Sequence, residues 1–88
     1  MKTITIEWTE SGETRFELVN VPSQLADRMT GEPVVLGTIP DDLGQAGVLE
    51  FPSGVVLMLG ADVGVFASRA EWLESLCDFD KQHAELVA

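Results

Sequence analysis

The sequence predicts an α+β domain: an antiparallel sheet of about four to six strands built from hairpins, with a short helix after the first hairpin and a long C-terminal helix packed on one face. Three observations carry this. Apolar residues alternate with polar ones on both sides of turn-forming clusters, the period of half-buried strands. Gly, Pro or Asp-rich breaks separate short strand candidates, which favours hairpin connections over parallel crossovers. Near the C-terminus, Ser68-Arg69-Ala70-Glu71 has the form of a helix capping box.

Ile4, Ile6 and Trp8 alternate with Thr3, Thr5 and Glu7, and Phe16 and Leu18 continue the pattern beyond the turn cluster Glu10-Ser11-Gly12-Glu13. Residues 2–8 and 14–20 therefore read as a hairpin, with Glu7 and Glu17 on the face away from Ile6, Trp8 and Phe16. Pro22-Ser23 opens a short helix to Met29, stopped by Gly31 and Pro33. Val34-Val35-Leu36 is a brief strand, and the glycines, proline and Asp41-Asp42 of residues 37–47 read as loop. Val48-Leu49-Glu50-Phe51 and Val55-Val56-Leu57-Met58-Leu59 flank Pro52-Ser53-Gly54 as a second hairpin. Its unbroken apolar arm predicts a strand covered on both faces. Val63-Gly64-Val65-Phe66 is the last strand, and the capping box starts a helix running from residue 69 to between 79 and 87.

A chain of 88 residues makes a single domain, residues 1–88. Fifteen Asp and Glu against five Lys and Arg leave a formal net charge of −10, while 45% hydrophobic residues are the composition of a folded chain rather than an acidic tail. Such charge repels nucleic acid and anionic membrane, so direct binding of either is disfavoured. Evenly spread, the carboxylates would lie about 18 Å apart on a surface of roughly 5,000 Å², beyond a Debye length of about 8 Å. A directed electrostatic function therefore requires clustering. The lone cysteine, Cys77, forms no internal disulfide and fits a reducing compartment. The alternating N-terminus lacks a signal peptide's apolar core, and the apolar stretch at residues 54–61 is too short to span a bilayer, so a cytoplasmic location is expected.

The C-terminal helix supplies the clustering. At about 100° per residue, Glu71, Glu74, Asp78 and Glu85 fall within about 60° of arc, opposite Trp72, Leu73, Leu76, Phe79 and Val87. Neighbouring carboxylates at about 5–6 Å approach the spacing of phosphates along a nucleic-acid strand. The plainer reading is a solvated helix face. Asp80 interrupts the apolar side near His83, and is read as a cap or kink where the helix ends near Asp78. Cys77, Asp80 and His83 drift too far around a helix to share one ion. Asp41 and Asp42 add carboxylates in the predicted loop without the alternating spacing of a calcium site. No Gly-x-x-x-x-Gly-Lys or Gly-x-Ser-x-Gly is present, so no enzyme, catalytic residue, metal or cofactor is expected. Trp8 and Trp72 align with the apolar sides of their elements and read as core.

In size, acidity and layout the whole chain resembles small phage-encoded anti-CRISPR proteins, without a shared motif. That resemblance implies blocking of a CRISPR effector in the cytoplasm of a bacterial host, and it transfers no residues. The expected function is that of an inhibitory binding protein whose partner is the basic surface of a nucleic-acid-handling complex. Glu71, Glu74, Asp78, Glu85, Asp41 and Asp42 are the contacts, with an exposed apolar side chain of the 37–47 loop, such as Leu43, at the centre. An immunity or antitoxin-type protein that neutralises a basic nuclease toxin is the alternative, and a bland accessory domain the third.

Overall fold

Ser11 and Gly12 both take positive φ, 53° and 80°, as the two central residues of a tight hairpin turn of the I′ type require. This turn joins β1 (Lys2–Glu10) to β2 (Glu13–Val21) in a register running from Glu10↔Glu13 to Lys2↔Val21. Ile4 therefore lies opposite Val19, Ile6 opposite Glu17 and Trp8 opposite Arg15. Residues opposite one another share a face, so Phe16 and Leu18 point away from the core and are 63% and 70% exposed. The expectation that Phe16 shares a face with Ile6 and Trp8 is corrected. A one-residue difference in register exchanges the faces of a strand, and Val19 and Val21 fill the core instead.

The computed structural model describes residues 1–42 and 44–87. After the first hairpin come α1 (Ser23–Ala26), β3 (Val34–Asp41), β4 (Gly44–Glu50), β5 (Val56–Leu59), β6 (Val63–Phe66), α2 (Arg69–Ser75), α3 (Asp78–His83) and β7 (Glu85–Leu86). The strands β1 and β2 form their own two-stranded sheet, and the others form a five-stranded antiparallel sheet in the order β6-β5-β4-β3-β7.

The predicted loop at 37–47 is instead most of the β3–β4 hairpin. Its turn formers each have a place within the sheet. At Leu36-Gly37 the register shifts by one residue, a bulge that bends β3. Pro40 pairs with Gln45 on one side only, beyond the two residues of β3 that β7 reaches. Proline is tolerated where no donor is needed.

The five-stranded sheet is buried on both faces. Leu49 and Leu57 join Ile6, Trp8, Val19, Val21, Ala26 and Met29 under the first hairpin and α1. Their chain neighbours Val48 and Val56 join Leu36, Ile39, Ala46, Trp72 and Leu76 under the helices. The apolar arm at 55–57 is thus covered from both sides, with Val55, Val56 and Leu57 all fully buried.

The α+β architecture with a long C-terminal helix is overturned: among the described residues the fold is mostly β, with seven strands and three short helices. The capping box does start α2, where Ser68 Oγ accepts from the Glu71 amide at 3.1 Å. Ser68→Ala is expected to cost about 1 kcal/mol, measurable as a lowered urea midpoint; an unchanged midpoint would show that the cap contributes nothing. The helix then stops after seven residues, and Leu76 and Cys77 are extended, with ψ of 139° and 167°. Ser75 Oγ donates to the Trp72 carbonyl at 2.6 Å, a local bond that competes with helix continuation. Burial of Leu76 and Trp72 on the sheet fixes the end of α2. The extended Ala84 then turns the chain into β7 along the edge of β3. No helix among the described residues is long and apolar enough to cross a membrane.

Candidate interaction surface

The interruption at Leu76-Cys77 dissolves the predicted helical arc. Glu71 and Glu74 lie on α2, Asp78 begins α3, and Glu85 belongs to the edge strand β7. All four are exposed, and among the described residues their carboxylates have no hydrogen-bond or ion-pair partner. Arg69, the cation nearest to them along α2, is held by Glu50 of β4 through bonds of 2.8 and 3.1 Å. The hydrogen bond and then the charge of Glu50 push the Arg69 guanidinium above its ordinary pKa. Arg28 is likewise engaged, donating to the carbonyls of Ser53 and Ala67 at 3.3 Å each. The same C-terminal segment exposes apolar side chains, Phe79 of α3 at 58% and Leu86 of β7 at 51%.

His83 does not meet Asp80. Its ring stacks on Phe79 with centroids 4.2 Å apart, and Nδ1 lies 2.8 Å from the Phe79 carbonyl. The kink expected near Asp78 falls at Leu76-Cys77, and Asp80 sits in the first turn of α3 rather than capping it. Cys77 is exposed just before that helix. Carboxylates in a first turn are favoured by the partial positive charge of unpaired amides.

Asp41 and Asp42 are at the tip of the β3–β4 hairpin, where Asp41 Oδ2 accepts from the Ala61 amide at 2.8 Å. This bond ties the tip to the β5–β6 turn, and a Cβ at Gly60 would overlap the Asp41 carboxylate and press on Ala46. Asp62 of that turn and Asp80 of α3 line the same concavity, of about 270 Å³, above Ile39 and Met58. Four aspartates from three regions of the chain thus converge. The described residues contain no group of three or more His, Cys, Asp or Glu placed to hold a metal ion. Guanidinium and ammonium groups are cations that carboxylates bind through several separate hydrogen bonds. Leu43, the apolar contact expected here, lies outside the described residues.

Sequence reasoning missed Asp62, which is far along the chain from Asp41 and which no pattern within one segment connects to it. It also misplaced Phe16 and Leu18, which form an apolar strip on the outer face of β2 beside Thr5 and Glu7. Compared with protein-family models, curated proteins and solved structures, the chain matches none.

Proposed function

We propose that this chain is a small inhibitory binding protein that occupies a basic site on a nucleic-acid-handling complex in the cytoplasm. The observation that supports this reading best is the concavity lined by Asp41, Asp42, Asp62 and Asp80, on a molecule of net charge −10. The α3 helix carries Asp80 into that concavity, begins with Asp78, and lies along the chain between Glu71 and Glu74 of α2 and Glu85 of β7. A basic nucleic-acid groove is complementary to such a surface, and opposite charge steers the two together quickly. Exposed ion pairs contribute only about 0–1 kcal/mol each, so apolar contact must add to them. The exposed Phe79 of α3 and Leu86 of β7, in the same C-terminal segment, are suited to provide it. A CRISPR effector is the proposed target class, in line with the whole-chain resemblance to anti-CRISPR proteins.

The test begins with affinity capture from bacterial lysate, followed by titration of the captured partner across salt, with and without its nucleic acid. A nucleic-acid-binding partner is expected, competing with its nucleic acid and losing affinity as salt rises. Combined Asp42→Lys and Asp62→Lys substitution should weaken binding by at least tenfold with little change in melting temperature. Salt-independent affinity, or simultaneous binding of protein and nucleic acid in one groove, would refute mimicry of nucleic acid. A captured basic nuclease toxin would point instead to immunity.

A further inference from the structure

A second hollow lies on the other side of the sheet. On the face covered by the first hairpin, Thr38, Gly47 and Leu59 are paired neighbours across β3, β4 and β5. The hairpin's far half, from Trp8 to its turn, overhangs this row. Gly47 puts no side chain there, and a groove of about 510 Å³ remains between Trp8, Glu10 and Glu17 on one side and Gly47, Leu49 and Leu59 on the other.

Nothing in the fold demands glycine at this point. Its φ is not positive, and a Cβ built on it meets no atom within 4 Å. Glycine in the middle of a central strand weakens the strand, and where it is not needed for a turn or bulge it marks a place where another group approaches closely.

The walls define the group that fits. Leu49 and Leu59 are apolar, and the Trp8 indole is mostly buried, held by donation from Nε1 to Glu10 Oε1 at 3.2 Å. Glu10, Glu13 and Glu17 line the groove together with Arg15. Arg15 leans toward Glu13 at 3.8 Å, whereas Glu17 has no hydrogen-bond or ion-pair partner among the described residues. A groove with Leu59 and the edge of an indole on its walls, and more carboxylates than cations in its lining, matches a long aliphatic stem carrying a cation. Guanidinium fits better than ammonium because it both stacks on an aromatic ring and pairs with a carboxylate through two bonds.

We propose that the groove above Gly47 receives an arginine side chain from the protein partner, its stem against Leu59 and its guanidinium between Trp8 and Glu17. This rests on the reading of a basic partner and adds a contact separate from the aspartate concavity. The probe is the blocked tripeptide acetyl-Gly-Arg-Gly-amide, titrated into the full ¹⁵N-labelled chain beside its lysine and leucine counterparts. The arginine peptide is expected to give saturable shifts at the Trp8 indole N–H and the Gly47 amide, the lysine peptide weaker ones, and the leucine peptide none. Gly47→Val should fill the hollow, abolish those shifts and raise the melting temperature, since valine favours strands. Glu17→Gln, on the exposed surface, should weaken binding about threefold with the fold unchanged. No saturable shift at Trp8 and Gly47, equal binding of the leucine peptide, or unchanged binding by Gly47→Val would each overturn the proposal. If the peptide fails while charge reversal at Asp42 and Asp62 still releases the captured partner, the groove is refuted and the proposed function stands. If the peptide binds while charge reversal has no effect, the groove is supported and the aspartate surface is refuted.

Discussion

Trp72→Ala is expected to remove about 3–5 kcal/mol of stability, out of the roughly 5–15 kcal/mol that a domain possesses. Trp72 is fully buried and is the largest side chain of the cluster formed with Leu36, Ile39, Ala46, Val48, Val56 and Leu76. It pins α2 to the sheet, and a seven-residue helix has no stability of its own. Urea unfolding should show a much lower midpoint, and hydrogen exchange should show the α2 amides losing protection first. A loss below about 1 kcal/mol would mean that the helices are held by other contacts, because a cavity of this size cannot be that cheap in a packed core.

Gly37→Val is expected to detach the C-terminal strand. Gly37 sits at the β3 bulge with φ of 153°, and a Cβ there would overlap the carbonyl oxygen of Glu85 and come within 2.7 Å of the Leu86 Cα. Backbone atoms cannot swing aside as a side-chain tip can. The strand has little else to hold it: the pairs Gly37↔Leu86 and Thr38↔Glu85, and the Val87 amide donating to the Leu36 carbonyl at 2.8 Å. The substitution should cost about 1–3 kcal/mol and make residues 84–87 sensitive to protease. It should also release Glu85 from its place beside the helices. A Val87 amide that exchanges as slowly as before would show that Gly37 does not serve this contact.

Where the chain's signals are local, they were legible. The Ser11-Gly12 turn, the strand pattern on either side of Pro52-Ser53-Gly54, the strand Val63–Phe66 and the Ser68 cap all depend on residues a few positions apart. Burial of Val55 to Leu57 on both faces follows from an apolar run with no polar side to offer solvent. The 37–47 segment was misread because turn formers have two meanings. Gly37, Pro40 and Gly47 break an isolated strand, yet in this sheet they serve a bulge, a one-sided strand end and an open groove. The carboxylates of the C-terminal segment were grouped by an arc that presumes an unbroken helix, and two extended residues suffice to separate them.

Composition, charge, the hairpins at each end of the first sixty residues and the start of α2 were determined by sequence alone, because each rests on bulk content or neighbours in the chain. Three things were decided only by the tertiary structure. The turn's register placed Phe16 and Leu18 outside and Glu17 above a groove, since register fixes which of two equivalent faces is buried. Packing of Trp72 and Leu76 ended α2 and sent the remaining chain to the edge of β3. Pairing of β3 through β6 and the packing of α3 on β3 brought Asp62 and Asp80 to Asp41 and Asp42. Each of these depends on contacts between segments distant along the chain, and no periodicity within one segment encodes them.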